Sequence, residues 1–144
     1  MYAPSRPSAV LFACTMNSVR SPLAAAIARQ MFGQSMFVRS AGILIGETDG
    51  FVAEVAGEIG IDLLHHQAKL FDDLQDNYFD LVIALSSDAY DFAREWTRTS
   101  ACTVEYWPVF DPTLVEGTRD AKLAAYRQLR DDLRQRIIDR FGLA

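Results

Sequence analysis

Strands alternating with helices along a 144-residue chain predict an α/β fold, a three-layer sandwich with a four-stranded parallel sheet and helices on both faces. Three observations carry that expectation. Short β-prone runs near residues 9–13, 36–40, 81–85 and 103–107 are separated by segments whose apolar residues recur at helical spacing. One of them, Leu81 to Leu85, is apolar throughout, as a strand covered on both faces must be. Glycine, proline and hydroxyl residues stand at the boundaries where chain reversals and helix caps are needed.

Each element follows in order. Residues 1–7 are polar and proline-punctuated and are expected to form a flexible tail ahead of a first strand over Ala9 to Ala13. Pro22 to Phe32 reads as the first helix, with Leu23, Ile27 and Met31 on one face, Ser21 at the N-cap, Pro22 at the first helical position and Gly33 closing it. A second strand over Met36 to Ser40 turns at Ala41-Gly42, and Ile43 to Gly50 reads as a loop beside the site. Phe51 to Ile59 is helical, with Val52, Val55, Ala56 and Ile59 on one side and Gly60 at its end. After the third strand, Ser86 and Ser87 cap a helix to about Thr97. Thr103 to Trp107 is the fourth strand, ended by Pro108, and Thr118 caps a last helix on which Leu123, Tyr126, Leu129, Leu133, Ile137 and Phe141 recur.

Composition bounds the function. At 50% hydrophobic content the chain can bury a core as a single domain over 1–144. A formal charge of −5, with no run of Lys or Arg, argues against a nucleic-acid or membrane partner. No apolar run approaches the roughly 20 residues a membrane helix needs, and the first residues do not read as a signal peptide. Two cysteines in apolar runs suit a reducing compartment, so a cytoplasmic location is expected. Adjacent His65 and His66 have no Cys or carboxylate cluster near them in sequence, so neither a metal nor a cofactor is expected.

The chemistry concentrates in Val10 to Pro22, V-L-F-A-C-T-M-N-S-V-R-S-P. A buried strand delivers Cys14 to a loop that ends at a helix N-terminus, where unpaired N–H groups form an anion site. Both that terminus and Arg20 favour the thiolate, the nucleophilic form of Cys14. Thr15, Met16, Asn17, Ser18 and Val19 are enough to fold a cradle of amides around a tetrahedral dianion. Arg20 offers two of its oxygens a planar fork. A lone cysteine after a strand is usually an inert small hydrophobe, but C-x5-R-S-P between a strand and a capped helix is a far more specific pattern.

That stretch resembles the signature loop of the low-molecular-weight protein tyrosine phosphatases and of the thioredoxin-coupled arsenate reductases that share their fold. Val38-Arg39-Ser40-Ala41-Gly42, Gly60-Ile61-Asp62, His66-Gln67-Ala68-Lys69 and Asp111-Pro112 extend the resemblance over nearly the whole chain. It implies that Cys14 is the nucleophile, that Arg20 and the loop stabilise the oxyanion, and that Asp111 is the general acid. Ser21 would donate to the thiolate and His66 would brace Asn17. On sequence alone Asp111 reads first as an ordinary turn residue before proline, and the Cys14 loop and the resemblance reverse that reading. Two departures stand in the loop: the family pattern has Gly at position 16 and usually a second Cys at position 19. A Met at a position needing positive φ would cost about 1–2 kcal/mol. The expected activity is phosphomonoester hydrolysis through a cysteinyl-phosphate on a phosphorylated protein, chiefly phosphotyrosine, or on a small aryl phosphate. The alternatives are an arsenate reductase, which would need resolving thiols, and a non-catalytic oxyanion-binding module with a loop spoiled by Met16.

Overall fold

The computed structural model describes residues 6–47, 50–75 and 78–142. Four strands, β1 (Ala9–Cys14), β2 (Phe37–Gly42), β3 (Leu81–Ala84) and β4 (Thr103–Tyr106), form one sheet in the order β2-β1-β3-β4. All pairings are parallel, with Cys14 opposite Gly42, Ala13 opposite Ala84, and Ala84 opposite Tyr106. The helices are α1 (Arg20–Phe32), α2 (Gly50–Gly57), α3 (Ser87–Trp96) and α4 (Arg119–Phe141). Alternate residues of β1 divide the core: Val10 and Phe12 pack with α1, α2 and α4, while Leu11 and Ala13 pack on the α3 side. Both faces are covered, which is why β1 and β3 are apolar without alternation.

The chain leaves β1 for β2 on one side and later returns to β3 on the other, so the switch in strand order lies between β1 and β3. Ligands in such sheets bind beyond the strand carboxyl ends at this point. Cys14 ends β1 there, and the segments after β3 and β4 approach from the same end of the sheet.

The expected caps at Ser86 and Thr118 form, accepting from the Ala89 and Ala121 amides. The cap expected at Ser21 does not. α1 begins at Arg20 with Val19 as its uncapped N-cap, because the Ser21 hydroxyl is drawn inward to Cys14 and Asn17. Gly33 ends α1 in an ordinary right-handed conformation. A Cβ there would stand 2.5 Å from the Arg29 carbonyl oxygen, so close approach and not a left-handed turn requires the glycine. Of the tail expected over 1–7, residues 1–5 lie outside the described residues, but Arg6 is tied down, donating to the Phe141 carbonyl and lying over the Phe32 ring.

Two arginines near the end of α4 reach β4 and the chain that follows it. Arg140 pairs with Glu105 at 2.8 Å, and Arg136 lies over the Trp107 ring and donates to the Pro108 carbonyl. They fix the strand exit that leads to Asp111.

Candidate active site

The loop from Cys14 to Ser21 is built from within. Asn17 is fully buried and is the one non-glycine with positive φ among the described residues, at 51°. Asparagine tolerates this conformation better than most side chains. Met16 does not adopt it, so the strain anticipated there is absent. The Lys69 amide donates to Asn17 Oδ1, which turns Asn17 Nδ2 toward Ser21 Oγ at 2.8 Å. With that oxygen already accepting, the Ser21 proton is available to Cys14 Sγ, 2.9 Å away. His66 Nε2 lies 2.9 Å from the Asn17 carbonyl oxygen and must donate to it. The brace expected from His66 therefore reaches the Asn17 backbone, while the Asn17 side chain is held by the chain after His66.

Cys14 is only 2% exposed, at the floor of a cavity of about 150 Å³. Its walls are Thr15, Met16, Ser18, Val19 and Arg20 from the loop, with Asp111 and Thr113 opposite. Among the described residues, the backbone amides of 16–19 donate to no protein acceptor, although Asn17 and Val19 are buried. Buried amides without partners are rare and require a ligand or water. An anion seated over Cys14 fits that need. A larger groove of about 540 Å³ runs along α2 past Gly50, Gly57 and Leu64, but among the described residues no nucleophile and no cation lines it.

Arg20 and Asp111 face each other across the cavity, with Nη2 and Oδ2 4.0 Å apart, too far for a hydrogen bond. Asp111 caps the 3-10 turn Pro112–Leu114, and its Oδ1 accepts from the Thr113 amide and hydroxyl. Oδ2 is left toward the cavity. Every residue expected at the site is thus brought to it, Asn17 and Ser21 from beneath the loop and His66 as support.

Thr113, Lys69 and Asp88 went unanticipated. Thr15 Oγ1 donates to Asp88 on the first turn of α3, and Ser86 donates to the same carboxylate. Burial would raise the Asp88 carboxyl, but these bonds and that from the Ala89 amide outweigh it and hold it below its ordinary range. The Asp-Pro-Thr capping pattern could have revealed Thr113. Nothing local to the sequence links Thr15 to Asp88.

His66 also sits below its ordinary range. Burial disfavours the cation first, the bond to Asn17 opposes this, and the nearby Arg29 and Lys69 cations reinforce it. The unfolded chain then takes up the proton more readily than the folded one. This contribution to stability is complete above a pH of about 6.5 and is lost as pH falls toward the lower folded-state value. Denaturant midpoints should therefore drop between about pH 7.5 and pH 5.5, and less so in His66→Gln, whose amide can still donate to Asn17. Equal drops in both proteins would place the dependence elsewhere.

A family model described as low molecular weight phosphotyrosine protein phosphatase matches residues 9–139. The chain is 31% identical over 128 residues to an arsenate reductase of Bacillus subtilis, covering 89% of this chain and 91% of that protein. It is 33% identical over 129 residues, with the same coverage, to an arsenate reductase of Bacillus licheniformis. Among solved structures, an arsenate reductase in the phosphate binding state shares the fold, with a TM-score of 0.77 at 22% identity, over 94% of this chain and 97% of that one. The YwlE arginine phosphatase of Geobacillus stearothermophilus aligns with a TM-score of 0.72 at 27% identity, over 94% of this chain and 91% of its own.

Proposed function

As the chain belongs to the low molecular weight phosphotyrosine protein phosphatase family, we propose that it hydrolyses phosphomonoesters through a cysteinyl-phosphate, with protein phosphotyrosine as substrate. The observation that carries this reading is the convergence of Cys14, Arg20 and Asp111 on one small cavity ringed by unpartnered amides. The Cys14 thiolate attacks phosphorus from below and the bond to the leaving oxygen breaks. Asp111 Oδ2 supplies the proton that this oxygen takes up. Arg20 and the loop amides hold the equatorial oxygens as their charge spreads. In the second step Asp111, now a carboxylate, takes a proton from water, whose oxygen attacks phosphorus. The S–P bond breaks and returns the thiolate, which the Ser21 hydroxyl stabilises.

Asp111→Asn keeps the shape of the turn but has no proton to give. It should lower kcat/KM, which reports the first step, by about 10²–10⁴-fold on aryl phosphates with poor leaving groups, and by much less on para-nitrophenyl phosphate. Equal losses in kcat/KM across a leaving-group series would mean that Asp111 only shapes the loop. Because one structural relative is an arginine phosphatase, the finer substrate assignment is tested by kcat/KM on matched phosphotyrosine and phosphoarginine peptides. Preference for the latter would overturn it.

Arsenate reduction is favoured by the names of the relatives, but it needs a thiol to resolve the oxidised nucleophile. No Cys stands on α3, and Cys102 precedes β4 at the opposite end of the sheet. From the register, Cys14 and Cys102 differ by about 16 Å along the strands and about 10 Å across them. A disulfide tolerates ~7 Å between Cα atoms. Sub-stoichiometric peroxide should therefore leave Cys14 as a sulfenic acid without an internal bridge. A Cys14–Cys102 disulfide in the intact mass would favour the reductase.

A further inference from the structure

The cavity of about 150 Å³ takes a phosphoryl group and part of the group that carries it, so the remainder of any substrate must lie on the rim. That rim is apolar. Of the nine exposed large apolar or aromatic side chains among the described residues, five stand around this mouth: Met16, Leu44, Ile45, Phe110 and Leu114. Met16 lines the cavity itself, and Phe110 and Leu114 flank the wall residues Asp111 and Thr113.

Leu44 and Ile45 belong to a segment clamped onto the nucleophile loop. The Ile43 and Leu44 amides both donate to the Thr15 carbonyl, at 2.9 and 2.8 Å, and the Gly46 amide donates to that of Met16. Gly46 presses so closely on the loop that a Cβ would lie 2.7 Å from Met16 Cβ. The apolar collar is thus hydrogen-bonded and packed to the cradle. Leu114, at 77% exposure, stands on the opposing wall beside the residue that holds Asp111.

Charge narrows the occupant. Among the described residues Arg20 is the sole cation lining the cavity, and it is committed to the phosphoryl oxygens. The charged residues next to the collar in sequence, Glu47 and Glu116, are exposed and acidic. A nucleotide, with ribose hydroxyls and further phosphates, or an acidic peptide would meet greasy walls and like charge. Exposed apolar side chains grouped on two sides of one cavity, on a chain carrying −5 overall, mark a contact surface for another apolar surface.

We propose that the collar of Met16, Leu44, Ile45, Phe110 and Leu114 recognises a polypeptide segment with apolar residues on either side of the phosphorylated one. The inference rests on the phosphatase reading and deepens it. Burying an Ile and a Leu against such a segment should raise kcat/KM about tenfold, chiefly through KM.

The test uses two phosphotyrosine peptides identical except for flanks of Leu and Val or of Glu, with para-nitrophenyl phosphate and a nucleoside monophosphate alongside. The apolar peptide should be preferred about tenfold over the acidic one and over the nucleotide. In the Ile45→Ser/Leu114→Ser double variant the preference should collapse through a rise in KM, while kcat on para-nitrophenyl phosphate stays at the wild-type level. Equal kcat/KM on the two peptides, a preference unchanged in the double variant, or faster turnover of the nucleotide would overturn the collar while leaving the phosphatase reading intact. Absence of para-nitrophenyl phosphate turnover by the wild-type protein would overturn both.

Discussion

Cys14→Ser is expected to reduce para-nitrophenyl phosphate hydrolysis to background while phosphate still binds. A serine hydroxyl has no comparable anionic form near neutral pH, and Arg20 and Asp111 cannot supply a substitute nucleophile. The cradle does not depend on the sulfur. Asn17 is held by the Lys69 amide and by Ser21, and His66 holds its carbonyl, all beneath the loop. The variant should therefore show a phosphate-dependent rise in melting temperature like that of the wild-type protein. Substantial turnover would remove Cys14 from the nucleophile's role. Loss of phosphate binding would mean that the thiolate shapes the cradle as well as attacking.

Arg20→Lys is expected to cost about 10²–10³-fold in kcat, in line with the loss of an oxyanion donor. Both residues carry a positive charge, so the effect reads geometry. A guanidinium spans two equatorial oxygens in one plane, while an ammonium meets them as a point and with more hydration. Arg20 also stands 4.0 Å from Asp111 across the cavity. Its displacement should therefore disturb the general acid, and the leaving-group dependence of Arg20→Lys should move partway toward that of Asp111→Asn. A near-wild-type rate would place the guanidinium outside the reaction.

Sheet and helices were legible because their patterns are local. The apolar run from Val10 to Cys14 has one good solution, a strand buried on both faces, and the hydroxyls at 86 and 118 meet helix amides a few residues on. The nucleophile loop was legible from spacing for a similar reason, since cysteine, arginine and helix start are fixed relative to one another within a few residues.

What the sequence did not reveal depends on competition between partners far apart in the chain. Ser21 has the right chemistry for a cap, but Asn17 and Cys14 are nearer in space and claim its hydroxyl. Position 16 looked strained only while the left-handed residue was assumed to lie there. The turn places it one residue later, where Asn17 also gains the Lys69 amide, 52 residues away. Thr15 meets Asp88 across 73 residues, through a contact created by the parallel order of β1 and β3.

Covalent catalysis by Cys14 is tested most directly by quenching the Asp111→Asn variant with acid milliseconds after mixing with para-nitrophenyl phosphate and mapping the modified peptide. Loss of the base that activates water should let the intermediate accumulate. The expected result is one phosphoryl group per chain, on the peptide containing Cys14 and bound to its sulfur. A burst of para-nitrophenol with the phosphoryl group on another residue, or steady turnover with no phosphoryl group on the chain, would contradict the cysteinyl-phosphate mechanism.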